Sequence, residues 1–396
     1  LQVRRIGGLL AATVLLLGLA VIPARAATIP LTSYIVVLND SVSNPGAVAA
    51  DQVGRLGGIT THVYTAALQG YSALLPTGAI SRLLGDGRIK FVVPDGIMRA
   101  DTTQAGATWG LDRIDQANRP TDGNYTYSNT GAGVTAYIID TGINFTHTDF
   151  GGRASLGADK VSPTRGLLGG TSGGSTNGVD CNGHGTHVSG TVGGTTYGVA
   201  KAVTLKAVRV LDCNGSGATS DVIAGVDWVT GDHLPGRPAV ANMSLGGGAN
   251  AALDAAVANS IADGVSYALA AGNGNVLGNG VDACNSSPGR VATAMTIGAT
   301  DANDARAGFS NFGSCVDWFA PGVNITSDWM GSNTATNTIS GTSMAAPHSA
   351  GVAALYLQSS PGAAPATVRD AVYNLTTKNI VSGSKSANAH LLFTNL

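Results

Sequence analysis

Charge is scarce in this chain. Only 12% of its 396 residues are charged, the formal net charge is −2, and no long run of one sign occurs. It therefore lacks the electrostatic footprint of a nucleic-acid or acidic-membrane binder. Metal-thiolate spacing is missing too, because Cys181, Cys213, Cys284 and Cys315 include neither a C-x-x-C pair nor a Cys/His cluster. No uninterrupted apolar run reaches the ~20 residues that a membrane-spanning helix needs. The 56 glycines sit in Gly-Ser-Asn segments without a triplet period, which excludes collagen and indicates many tight turns.

What is present supports a large folded core, since 44% of the residues are hydrophobic. Residues 1–26 read as a secretory signal: Arg4 and Arg5, an apolar stretch from Ile6 to about Ile22, then Ala24-Arg25-Ala26 as a small-residue cleavage site. Secretion to an extracellular, oxidising compartment makes an even set of cysteines a disulfide framework, with three pairings open.

Residues 27–101 form a segment of their own. Apolar runs at Tyr34 to Leu38, Tyr71 to Leu75 and Ile89 to Val93, with a helical stretch from Val48 to Leu56, predict a small α+β unit. Ala100-Asp101-Thr102-Thr103-Gln104 is polar and marks a processing boundary. From 102 to 396 short apolar strands alternate with helical patterns, which predicts a doubly wound, mainly parallel sheet flanked by helices. The strands are read at Val134 to Ile139, Val203 to Val210, Ala239 to Leu245, Val265 to Ala271 and Met295 to Gly298. Val222, Val226 and Val229 stripe one helix, and Ala251 to Ala262 form another. Ligands of such sheets bind at the carboxyl ends of the strands.

Asp140 ends the first of these strands, within Ile139-Asp140-Thr141-Gly142. An aspartic protease needs two such carboxylates sharing a proton, and a second Asp-Thr-Gly is absent. His184 stands in Asn182-Gly183-His184-Gly185-Thr186-His187, without the further ligands that would make the two histidines a metal site. Ser343 stands in Gly341-Thr342-Ser343-Met344-Ala345-Ala346-Pro347, ahead of an apolar run, so it opens a helix whose N–H groups point outward. A serine hydroxyl becomes a nucleophile when a histidine takes its proton, and that histidine needs a carboxylate on its other nitrogen. The order Asp, His, Ser differs from the chymotrypsin and α/β-hydrolase orders, and the esterase G-x-S-x-G is missing around Ser343.

These three motifs together resemble the subtilisin-like serine proteases, in particular the aqualysin-like bacterial members of the proteinase K group. The resemblance implies a secreted, monomeric endopeptidase acting on polypeptides, with no catalytic cofactor. The other reading weighed is a catalytically silent homologue that serves as a binding protein. Residues 27–101 are similar to the family's inhibitory prosegment, an intramolecular partner whose release would start the mature enzyme near Thr102. Asn273 matches the oxyanion-hole asparagine. Asn214, Gly215, Ser216 and Ser244, Leu245, Gly246 match the two edges that clamp an extended substrate. The pocket segment Ala270, Ala271, Gly272 carries no charge, which implies preference for apolar or aromatic residues before the scissile bond.

The aqualysin-like positions also imply the disulfides Cys181–Cys213 and Cys284–Cys315. Two calcium sites follow from the same resemblance: Asp317 with the carbonyls of Ala292 and Ala294, and a loop of Asp112, Asp115, Gln116, Asp122 and Asn124. Two features depart from proteinase K. Val188 stands in place of a cysteine, and Gly169 to Ser175 read as a flexible insertion.

Overall fold

The computed structural model describes residues 31–76, 78–100, 103–104, 108–162 and 176–396. The expected signal at 1–26, residues 101–102 at the expected processing boundary and the expected insertion at 169–175 lie outside the described residues.

The expected doubly wound α/β architecture is the one observed. Seven strands form a sheet in the spatial order Trp318–Pro321, Met295–Thr300, Ser266–Ala270, Ala239–Met243, Thr135–Asp140, Thr204–Arg209, Ala154–Asp159. Every neighbouring pair is parallel. Thr135–Asp140 comes first in the chain but lies inside the sheet: the next two strands add on one side and the remaining four on the other. The connections therefore diverge between Thr135–Asp140 and Ala239–Met243, which opens a crevice at their carboxyl ends. Asp140 ends one of these strands, and Ser244 follows the other.

The pleat sends alternate side chains to opposite faces. Ala136 and Ile138 face the helices His184–Gly193 and Thr342–Ser359, packing in one core with Val188, Val192, Met344 and Ala350. Tyr137 and Ile139 face Thr219–Asp232 and Ala251–Asp263, in a second core with Val222, Val226, Val229 and Leu253. Each fully buried Val, Leu or Ile contributes roughly 1.5–3 kcal/mol, so the sheet is held rigidly from both sides.

The amino-terminal unit is α+β, an antiparallel sheet in the order Ile59–Tyr64, Gly70–Pro76, Leu31–Leu38, Ile89–Pro94. Helix Pro45–Leu56 covers one face; Asn44 caps it by accepting from the Ala47 N–H, and Gly57 ends it in the left-handed region. Ile35, Val37, Tyr64 and Leu68 on the other face join the core beneath Thr219–Asp232. Two carboxylates stitch the units together. Asp95 accepts from the Ser220 N–H at 2.6 Å, and Asp227 from the N–H groups of Thr65, Ala66 and Ala67 at 2.9, 2.7 and 3.0 Å.

Two strands of the main sheet, Ala154–Asp159 and Trp318–Pro321, have no counterpart in the sequence reading. The strand expected to run from Ala239 to Leu245 stops at Met243, and Leu245–Gly248 joins a different sheet at the crevice.

Candidate active site

Asp140 and His184 meet at the head of the crevice, both fully buried. His184 opens its helix, and its Nδ1 lies 2.8 and 3.0 Å from the two carboxylate oxygens of Asp140. The Thr141 N–H also donates to Asp140 Oδ1, at 2.7 Å. A carboxylate oxygen accepts, so Nδ1 carries the proton and Nε2 of the neutral ring keeps a lone pair. Strand end and helix start approach closely only because residue 185 is glycine: a Cβ there would lie 2.1 Å from the Gly142 carbonyl.

Ser343 sits in the first turn of Thr342–Ser359 and is fully buried. It exchanges hydrogen bonds with Ser244 across the crevice. Ser343 Oγ donates to the Ser244 carbonyl at 3.2 Å, and Ser244 Oγ donates to the Ser343 carbonyl at 2.7 Å. Asn273 lies beside the same helix start. Its Oδ1 accepts from the Thr342 N–H and hydroxyl, which leaves the buried Nδ2 without a partner and close to Gly341.

The two edges flank an extended piece of the chain itself. Ile97–Ala100 runs antiparallel between Ser216–Ala218 and Leu245–Gly248, with Arg99 opposite Ser216 and Gly246, and Ala100 opposite Leu245. Farther on, Thr103 pairs with Ser340 and Gln104 with Ile339. One ladder thus ends one residue from Ser244, and the other ends three residues before Ser343. Of the expected edge residues, Ser216, Leu245 and Gly246 enter the ladders. Asn214 and Gly215 lie in the turn before them, organised by Asp212, which accepts from the Asn214 and Ser216 N–H groups. Ala270, Ala271 and Gly272 line a cavity of ≈ 270 Å³ with Gly246, Ser287 and Asn311, and none of its lining residues carries a charge.

His187, three residues after His184, takes no part. Its Nε2 lies 3.0 Å from the Ile325 carbonyl, and burial pushes its pKa down to about 3, so it stays neutral. Disulfides join Cys181 to Cys213 and Cys284 to Cys315. Val188 is buried in the core.

The two sites expected to hold calcium differ. Asp317 accepts from the Thr296 N–H at 2.8 Å and is ion-paired to Arg369, so an ion held there with the Ala292 and Ala294 carbonyls would have to displace a guanidinium. As arranged, these residues do not fit a cation. In the other loop Asp112 accepts from the Asp122 and Gly123 N–H groups and from the Gln116 amide, and Asp122 from the Asn124 N–H. Asp115 Oδ1 is buried and unpartnered. Burial raises the Asp115 pKa, and the charges of Asp112 and Asp122 push it the same way. A hard cation would relieve that repulsion, so the donor set fits. Among the described residues, however, no three His, Cys, Asp or Glu side chains already stand together as a metal site.

Several residues that organise the site went unread in the sequence. Thr342 orients Asn273, and Asn242 donates from Nδ2 to Ser244 Oγ at 2.9 Å. The adjacency of Thr342 to Ser343 was a usable signal, but the placement of Asn242 requires the turn that ends its strand.

Comparison with known proteins identifies the family. Residues 131–391 match the family model described as the subtilase family, Peptidase S8. An extracellular serine proteinase of Thermus sp. (strain Rt41A) is 54% identical over 346 residues, covering 87% of this chain and 80% of its own. The alkaline serine exoprotease A of Vibrio alginolyticus is 47% identical over 86% of this chain, which spans 62% of that relative's length. The crystal structure of a cold-adapted subtilisin-like serine proteinase superposes with a TM-score of 0.66 at 51% identity, covering 73% of this chain and 98% of the other. No helix among the described residues is long and apolar enough to cross a membrane.

Proposed function

This chain belongs to the subtilase family and is a serine proteinase acting on polypeptides, and from that premise we propose that it works through the triad Asp140, His184 and Ser343 by way of an acyl-enzyme. The observation that carries the reading is the 2.8 Å contact of His184 Nδ1 with Asp140, which leaves Nε2 as the base.

Ser343 Oγ attacks the peptide carbonyl carbon while its proton passes to His184 Nε2, and Asp140 stabilises the imidazolium. The carbonyl oxygen becomes an oxyanion, received by Asn273 Nδ2 and the Ser343 N–H. As the C–N bond breaks, Nε2 returns the proton to the leaving amine. Water then repeats the sequence on the ester, giving up a proton to Nε2 and freeing Ser343.

An extended peptide is held by adding a strand between Ser216–Ala218 and Leu245–Gly248, as Ile97–Ala100 is held. Main-chain bonds dominate this grip, so specificity is broad. The uncharged cavity at Ala270 to Gly272 favours apolar or aromatic residues before the scissile bond. The pairing of Ile97–Ala100 supports residues 27–101 as an inhibitory prosegment cut near Asp101 and Thr102 by the same triad. Residues 1–26 would direct secretion. A calcium ion would be held by Asp112, Asp115 and Asp122 with Gln116 and Asn124, stabilising the fold without entering the chemistry.

Expression of Ser343→Ala without other proteases tests the reading. The variant should retain residues 27–101 and lose hydrolysis of an unfolded protein by about 10⁶-fold, a magnitude taken over from subtilisin. A mature terminus near Thr102 in this variant contradicts self-cleavage. A parent enzyme that folds but hydrolyses nothing identifies a silent binding protein.

A further inference from the structure

Asp180 lies outside the triad, yet its carboxylate gathers the segments that carry both Asp140 and His184. It is 6% exposed and accepts five hydrogen bonds. Oδ1 receives the Thr141 hydroxyl and the Asn182 and Gly183 N–H groups, each at 2.9 Å. Oδ2 receives the Thr186 N–H at 2.8 Å and the Thr186 hydroxyl at 2.6 Å.

These donors stand next to the reacting groups. Thr141 follows Asp140, and its Oγ1 also accepts from the Gly185 N–H at 2.8 Å. Gly185 follows His184. The helix beginning at His184 therefore has the N–H groups that lack an intrahelical acceptor met from outside its own turn: His184 by Asn182 Oδ1, Gly185 by Thr141, Thr186 by Asp180. The Thr186 hydroxyl closes the circuit by accepting from the Asn144 N–H at 3.0 Å, on the loop that leaves Asp140. Asp180 is itself tied to that loop by its own N–H, which donates to the Ile143 carbonyl, and the adjacent Cys181 is pinned by its disulfide. Strand end and helix start thus share one acceptor, and a slip of either stretches several bonds at once.

We propose that Asp180 is a positioning residue for the hydrolysis, setting the Asp140–His184 separation through Thr141 and the first turn of the His184 helix. The inference rests on the triad reading above. Asparagine is a demanding probe, because its amide nitrogen would take the place of one of two oxygens that face only donors, and so point a donor at donors. Thr141→Val removes the shared hydroxyl at nearly constant shape, and Thr141→Ser restores it.

The test uses mature enzyme of each variant, processed in trans by parent enzyme where needed and counted by fluorimetric titration of active sites. Misplacing reacting groups by about 1 Å costs on the order of 10²-fold. Asp180→Asn and Thr141→Val should accordingly lower kcat by roughly 10–100-fold with KM held within about twofold. The rate of covalent inactivation by a sulfonyl fluoride, which needs the triad but little of the substrate cleft, should fall in parallel. Thr141→Ser should recover kcat to within about threefold of the parent. If Asp180→Asn does not fold, the Thr141 pair decides the question alone. Parental kcat per titrated site in Asp180→Asn or Thr141→Val, or a rise in KM at constant kcat, overturns the inference while leaving the triad standing. A parent enzyme that the fluoride fails to inactivate overturns the triad reading and this inference with it.

Discussion

Thr342 presents both of its donors to Asn273: its N–H lies 2.8 Å and its hydroxyl 2.9 Å from Oδ1. Which end of an amide side chain is oxygen follows from its partners, and two donors on one atom fix that atom as the acceptor. Nδ2 is left buried, unpartnered and near Gly341, at the start of the helix that carries Ser343. A donor held in readiness has no ground-state bond to lose when the oxyanion forms, so its value falls in the transition state. Asn273→Ala should lower kcat by about 10²–10³-fold, the size known for one such donor in subtilisin, with KM little changed. Thr342→Val should do the same more weakly, by freeing the amide to turn. Steady-state kinetics on a peptide substrate check both.

Calcium should act on lifetime and leave the chemistry alone. In the loop of Asp112, Asp115 and Asp122 a bound ion would give the unpartnered Asp115 Oδ1 a partner and relieve the mutual repulsion of the carboxylates. An ion at 100-fold its Kd stabilises the folded state by roughly 2.7 kcal/mol. A chelator should therefore hasten thermal inactivation of the parent, have no further effect on Asp115→Asn, and retain its effect on Asp317→Asn. Inactivation rates in chelator and in millimolar calcium check this. Equal rates for the parent in both conditions contradict it.

A buried acid pair gives the fold a pH dependence. Burial, then the neighbouring charge of Asp149, pushes the Asp328 pKa up to about 8, while Arg153 offsets part of that rise. His147 lies against the same carboxyl, its Nδ1 3.4 Å from Asp328 Oδ1. His147 Nε2 faces the Ala335 carbonyl at 2.9 Å and Nδ1 accepts from the Asp149 N–H, which uses its one lone pair; a protonated Asp328 donates instead to the Asp149 carboxylate, and that bond adds to the rise. The folded pKa exceeds the unfolded value of about 3.9, so this contribution is complete below about pH 4 and is lost as pH rises to about 8. Asp328→Asn should raise Tm above pH 8, with the difference shrinking toward pH 4. One kcal/mol moves Tm by roughly 2–4 °C in a domain of this size, so a gap of several degrees is expected. Calorimetry in a Ser343→Ala background, where autolysis is suppressed, measures it.

Much of the site was legible because its residues stand in short motifs at the ends of apolar strands, as Asp140 does, or at the start of an apolar helix, as Ser343 does. The alternation of Ala136, Tyr137, Ile138 and Ile139 between two cores left a clear sheet signal. Ala154–Asp159 left none, because it is an edge strand in which Ser155 and Leu156 are exposed and little apolar surface is buried. Asp180 was invisible for a different reason. Three of its five partners are backbone N–H groups, which every residue type but proline possesses. Asp317 resembles a calcium ligand in its local sequence, while the Arg369 that pairs with it lies 52 residues away on the helix Pro365–Leu375.

The most direct measurement of the central claim is the mass and position of the adduct left by a serine-directed sulfonyl fluoride on the mature enzyme. One adduct per chain is expected, on Ser343, forming in step with loss of proteolysis. Its formation should slow by at least about 10³-fold in His184→Ala and in Asp140→Asn, since each removes part of what activates the hydroxyl. Labelling at another residue, or labelling of Ser343 at the parental rate in His184→Ala, contradicts the account.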